Sequence, residues 1–151
     1  MKIQYIQGDL FNTDHKYILH GCNAKGVMGS GVARIVRDRF PLAYERYTVW
    51  CSKGFRLGTS LLVDCGDKTI INAVTQQNYG KVSEQRSDAK KRYVSYDAVA
   101  DIFAELEQLI PNSTISMPIV GCDLGGGDWS VVSAIIESSC KTIQPVVYKL
   151  D

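Results

Sequence analysis

The sequence predicts an α/β fold: a sheet, at least partly parallel, with helices on both faces. Two observations carry this. Short apolar runs of strand length alternate along the chain with segments of helical period. Twice, at residues 17–33 and 115–135, a strand runs into a glycine-rich turn and then into a helix. No repeat, linker or shift of composition interrupts the 151 residues, which suit a single domain spanning 1–151.

In chain order, residues 2–6 (KIQYI) alternate and read as a first strand, closed by Gly8-Asp9. The apolar start of 17–22 (YILHGC) gives a second, buried strand. Gly21, Gly26, Gly29 and Gly31 then loosen the backbone, and Val32, Ile35 and Val36 open a helix over about 30–39. Pro41, at the favoured first position, starts another helix that runs to about Lys53. SLLVDC (60–65) and TIINAVT (69–75) are strands joined by the turn Gly66-Asp67-Lys68. The polar stretch 76–92 (QQNYGKVSEQRSDAKKR) is a loop long enough to be functional or mobile. From Tyr93 or Ser95 to Ile110, Val99, Ile102, Phe103 and Leu106 recur with helical period until Pro111-Asn112 ends the helix. TISMPIV (114–120) is a strand, GCDLGGGD (121–128) a second glycine turn, 129–140 a helix and PVVYKL (145–150) the last strand.

Composition narrows the function classes. Net charge is +1, so no broad field argues for nucleic acid or an anionic membrane. No apolar run approaches the roughly 20 residues of a bilayer span, and the N-terminus lacks the apolar core of a signal peptide. The five cysteines (Cys22, Cys51, Cys65, Cys122, Cys140) are widely spaced with no CxxC, which points to reduced thiols and a cytoplasmic protein. The only histidines are His15 and His20, and no ligand spacing ties them to the cysteines, so no metal is expected.

In an open α/β sheet, ligands bind beyond the carboxyl ends of the strands. If the strands before the two glycine turns are parallel, both turns share that rim, joined there by Asp9 and by Gln76-Gln77-Asn78. Two helix N-termini facing the rim suit a diphosphate. There is no GxxxxGK[ST], and neither turn reads GxGxxG with an acidic residue about twenty positions on, so a nucleotide triphosphatase or a Rossmann dinucleotide site is not indicated.

GDL (8–10), HGCNAKGVMGSGVA (20–33), INAVTQ (71–76) and MPIVGCDLGGGDW (117–129), with the FPLAYERY helix start and the VVYKL strand, resemble the macrodomain family of ADP-ribose-binding modules. Within it the likeness is to the branch of ADP-ribose 1″-phosphate phosphatases and terminal ADP-ribose protein glycohydrolases. The resemblance implies a three-layer α/β/α sandwich with a mixed central sheet and ADP-ribose lying across the strand ends. It would put Gly8, Asp9 and Leu10 at the adenine, with Asp9 accepting from the amino group, and Asn23 on a distal-ribose hydroxyl. Gly29, Ser30, Gly31 and Val32 would wrap the distal ribose and one phosphate. Gly121, Cys122, Asp123, Leu124, Gly125 and Gly126 would form the second, diphosphate loop, with Gln76 beside the site. The chain departs from the family pattern where the glycohydrolases of this branch carry a lysine (here Gln76) and an aspartate (here Gly125), and where an aromatic usually ends the second loop (again Gly125).

Releasing a group from the distal ribose needs an oriented water, an acid or base, and donors for developing charge. His20 is the titratable candidate, since imidazole starts near pKa ~6.5. Asn23 would position the ribose, and Asp123 and Asp128 are the carboxylates at hand. Other roles stay open: His20 as a hydrogen-bonded strand residue, Asp128 as the cap of the next helix. The resulting expectation is a hydrolase without cofactor, a monomer, that binds ADP-ribose and converts ADP-ribose 1″-phosphate to ADP-ribose and phosphate. The alternatives are a non-catalytic ADP-ribose-binding module and a hydrolase that removes ADP-ribose from protein or nucleic acid.

Overall fold

The computed structural model describes residues 1–29, 31–77, 94–122 and 126–150. Six strands, β1 (Gln4–Gln7), β2 (Tyr17–Asn23), β3 (Ser60–Asp64), β4 (Thr69–Gln76), β5 (Thr114–Met117) and β6 (Gln144–Lys149), form one sheet in the order β1-β6-β5-β2-β4-β3. All neighbours are parallel except β3, which returns antiparallel on β4 through the tight turn at Gly66. There the Asp64 carboxylate accepts from the Gly66 N–H at 2.9 Å, and Gly66 takes a φ of +97° that suits glycine. The sheet is therefore mixed, and helices cover both faces as expected.

β4 shows why. Its run TIINAVTQ is buried at every position but the last, as in a strand covered on both sides. Ile70 and Val74 point to one face and join Ile18, Val36, Ala43 and Tyr47 beneath α1 (Gly31–Arg39) and α2 (Pro41–Ser52). Ile71 and Ala73 point to the other and join Leu19, Val99, Ile102, Phe103, Leu106, Val132 and Ile136 beneath α3 (Tyr96–Leu109) and α4 (Trp129–Ser139). Each large apolar side chain so buried contributes about 1.5–3 kcal/mol. Ser95 caps α3 by accepting from the Ala98 N–H at 3.1 Å.

Two strand boundaries and one additional element stand out from the sequence expectation. β1 starts at Gln4, because Ile3 donates its N–H to the Glu137 carboxylate at 2.8 Å and Met1 binds the carbonyls of Glu137 and Cys140. β5 ends at Met117, one residue before Pro118, whose ring nitrogen has no hydrogen to give a ladder. A 3-10 helix at Leu10–Asn12, not anticipated, follows β1 and is capped by Asp9. The expected loop at 76–92 falls mostly outside the described residues.

Glu107, near the end of α3, fastens the entry to β6. Its carboxylate accepts from the N–H groups of Lys141 and Thr142 at 2.6 Å and Ile143 at 2.8 Å, and from the Thr142 hydroxyl at 2.6 Å. Desolvation works against ionisation, but the Thr142 hydroxyl and the three N–H groups together pull its pKa down to about 2. A carboxylate depressed in the folded state stabilises fully above its unfolded pKa and ceases to do so as pH falls toward the folded value. Glu107→Gln should therefore lower the melting temperature by a few degrees at pH 7. In calorimetric scans the gap to the wild type should close between pH 4.5 and about 2.

Candidate functional site

β2 and β5 lie side by side and parallel, Tyr17 against Ile115 and Ile18 against Ser116. After β2 the chain goes to α1 and α2 on one face and on to β3 and β4; after β5 it goes to α4 on the other face and on to β6. Neighbouring strands whose connections diverge in this way leave a crevice at their carboxyl ends, the usual ligand position in such sheets. Both glycine turns, residues 24–30 and 118–128, start there, so they share one rim as the sequence expectation requires. The carboxyl ends of β1, β6 and β4 fall on the same rim, bringing Gly8-Asp9 and Gln76-Gln77 to it.

The first turn is built around Asn23. A bulge between Cys22 and Asn23 sets Asn23 against Gln76. The Asn23 Oδ1 accepts from the N–H groups of Lys25 at 3.0 Å and Val27 at 3.2 Å, and its Nδ2 donates to the Val27 carbonyl at 2.7 Å. The Ala24 N–H donates to the Gln76 carbonyl at 3.0 Å, tying turn to strand end. Met28 is buried and plugs the turn from below, whereas Gly29 is exposed. Gly31, at φ +61°, and half-buried Val32 open α1.

In the second turn, Gly121 has φ +74° and accepts from the Gly127 N–H at 2.8 Å, which closes the loop. A Cβ on Gly121 would stand 2.5 Å from Val94 Cγ2, and one on Gly127 would stand 2.7 Å from the Gly121 oxygen. Only glycine allows that approach. Cys122 is half-buried; burial, then the Asp128 charge, pushes its thiol up to about 11. Gly126 also has positive φ, at +72°. Ser30, Asp123, Leu124 and Gly125 lie outside the described residues.

Two expected catalytic roles are corrected, those of His20 and Asp128. His20 does not face the rim: it is 1% exposed on the α2 face of the sheet, its Nε2 2.6 Å from Asn72 Oδ1. The Asn72 Nδ2 donates to the Ala43 carbonyl at 3.2 Å, which turns Oδ1 toward His20 and makes Nε2 the protonated nitrogen. Burial lowers the His20 pKa to about 4, against the raising effect of Asn72, so the imidazole is neutral at neutral pH. Asp128 caps α4, accepting at Oδ1 from the Ser130 N–H at 2.9 Å and hydroxyl at 2.7 Å, bonds that lower its carboxyl pKa. Asp9 turns one oxygen back on its own loop, accepting from Phe11 N–H at 2.9 Å. Leu10 is buried in the core, and Gly8 donates to the Lys149 carbonyl at 2.9 Å.

Cys22 sits 3.5 Å from His20 Nε2, but burial drives its thiol well above the usual range, the reverse of an activated nucleophile. All five cysteines are free thiols. Among the described residues no helix is long and apolar enough to cross a membrane, and no three His, Cys, Asp or Glu side chains group as metal ligands. Sequence reasoning missed Tyr47, a buried α2 residue whose hydroxyl reaches Asn23, and Asn72. The signal for Asn72 was present: a lone amide inside the apolar run INAV must find a buried partner.

Comparisons with known proteins give a consistent picture. The chain is 30% identical over 144 residues to the ADP-ribose 1″-phosphate phosphatase of Candida albicans, covering 89% of this chain and 92% of that protein. It is 28% identical to the DNA ADP-ribosyl glycohydrolase of Mycobacterium tuberculosis, over 95% of this chain and 40% of that longer protein. Among solved structures, the macrodomain of Mycobacterium tuberculosis DarG superposes with a TM-score of 0.76 at 28% identity, covering 97% of this chain and 96% of that one. No family model matches the sequence.

Two measurements check the site geometry. Because the folded His20 pKa is lowered, the unfolded chain takes up a proton below 6.5 that the native chain refuses until about 4, so stability should fall as pH drops through that window. At 1.36 kcal/mol per unit this is about 3 kcal/mol, and the His20 ring resonances in NMR should stay those of a neutral imidazole from pH 8 to 5. Gly121→Ala should cost roughly 1–3 kcal/mol in denaturant unfolding, the range for a residue forced into an unfavourable conformation. Val94→Ala in the same chain should restore part of the loss.

Proposed function

This chain belongs to the macrodomain family, and we propose that it binds ADP-ribose along the rim and hydrolyses ADP-ribose 1″-phosphate to ADP-ribose and phosphate. The observation that carries the reading is that two glycine turns, each leading to a helix N-terminus, leave the neighbouring carboxyl ends of β2 and β5 where their connections diverge. Such a groove offers backbone N–H groups from two sides, which suits a pyrophosphate flanked by two sugars. The adenine lies toward Gly8, Asp9 and Leu10, where the amino group meets the Asp9 oxygen not committed to Phe11. The distal ribose lies over Asn23 and Gly29, Ser30, Gly31 and Val32, and the diphosphate runs under 121–126 with Gln76 beside it.

Hydrolysis of the terminal phosphate requires water to add at phosphorus while the bond to the ribose oxygen breaks. With His20 neutral in the interior and Asp128 spent on a cap, the acid–base role passes to Asp123. The amides of the first turn hold the charge that develops. A second reading, a binder without turnover, is favoured by the same two findings: the titratable groups expected at the rim are engaged in structure. Removal of ADP-ribose from protein or nucleic acid is less favoured, because Gln76 puts an uncharged amide where such enzymes of this branch carry lysine.

Incubation with ADP-ribose 1″-phosphate, beside calorimetry with ADP-ribose, separates these readings. Heat of binding together with phosphate release is expected, with Asp123→Asn slowing release by roughly 100-fold or more. Binding without phosphate would establish the non-catalytic reading, and no binding would sink both.

A further inference from the structure

Tyr47 heads the wholly buried side chains by volume, yet it carries a hydroxyl, and it lies on α2 rather than in either glycine turn. The hydroxyl stands 2.6 Å from the Asn23 carbonyl oxygen and 3.0 Å from Asn23 Oδ1. The same Oδ1 already accepts from the N–H groups of Lys25 and Val27. Those two N–H groups occupy both lone pairs of Oδ1, and the Tyr47 hydroxyl, whose single hydrogen has the main-chain carbonyl as its nearer acceptor, closes over the same oxygen, so the carbonyl half of this amide has no capacity left for a ligand. On the other half, one of the two Nδ2 hydrogens goes to the Val27 carbonyl. What Asn23 can offer is a single N–H.

The orientation is not free to reverse. A flipped amide would set its NH2 against the N–H groups of Lys25 and Val27 and its oxygen against the Val27 carbonyl. We infer that Tyr47 is a positioning residue of the site: from beneath the sheet face it holds the Asn23 amide so that the remaining N–H is presented, as donor only, to an oxygen of the distal ribose. Burial raises the Tyr47 pKa far above its ordinary value, so the hydroxyl keeps its proton and donates at any working pH. The inference rests on the placement of the distal ribose proposed above, and it adds a constraint: the ribose group facing Asn23 must act as acceptor.

Calorimetry with two probes tests it, ADP-ribose and ADP, which lacks the distal ribose. Tyr47→Phe keeps the ring and removes the hydroxyl; it should weaken ADP-ribose about 5- to 10-fold, the effect of one hydrogen bond, and leave ADP unchanged. An equal loss for both probes would reduce Tyr47 to a packing residue, and no loss for either would make the hydroxyl dispensable; each overturns the inference. A wild-type protein that binds neither probe would instead remove the site reading itself, and this inference with it.

Discussion

The adjacency of β2 and β5 governs this molecule. Two parallel strands share hydrogen bonds over a short register and then send their chains to opposite faces. The crevice this leaves cannot be filled by either departing segment, since each turns away from the other. Polar backbone gathers at that spot because the topology strands it there, and the glycines of both turns bring it close. The hydrophobic layers on either side, built on alternate residues of β4, keep the two strands at their spacing. The chemistry of the rim is thus secured by packing well below it.

Much of this was legible in the sequence because it depends on local pattern. The period of Val99, Ile102, Phe103 and Leu106 located α3, and the alternation of strands with helices gave the layers. The convergence of the two turns needed only the assumption of parallel strands, which β2 and β5 satisfy. Pro118 could have shortened the last predicted half of β5, since its ring denies the ladder a donor. The 3-10 turn after β1 left no periodic signal in three residues.

The site chemistry was less legible, because titration and hydrogen bonding are decided by neighbours distant in sequence. His20 alternates with Ile18 and Cys22, and that register sends it to the α2 face, where Asn72 of another strand and the Ala43 carbonyl close around it. Nothing within HGCN shows this. Asn23 is expected from the sequence to meet a ligand, but its obligations to Lys25, Val27 and Tyr47 come from the folded turn and from a helix some twenty residues on. The residue type marked the place; tertiary contacts set what it can donate and to whom.

The bridge between Gln76 and Val94 has a consequence for how this fold can diversify. It clasps the chain at both feet of the polar stretch between them, one foot on β4 and the other wedged against Gly121. With the feet fastened, a change in the number of residues between them costs only loop-closure entropy, about 0.6 kcal/mol per doubling of length. Variation in the length of that stretch is thereby separated from the upkeep of the sheet, whose strands are paired independently of it.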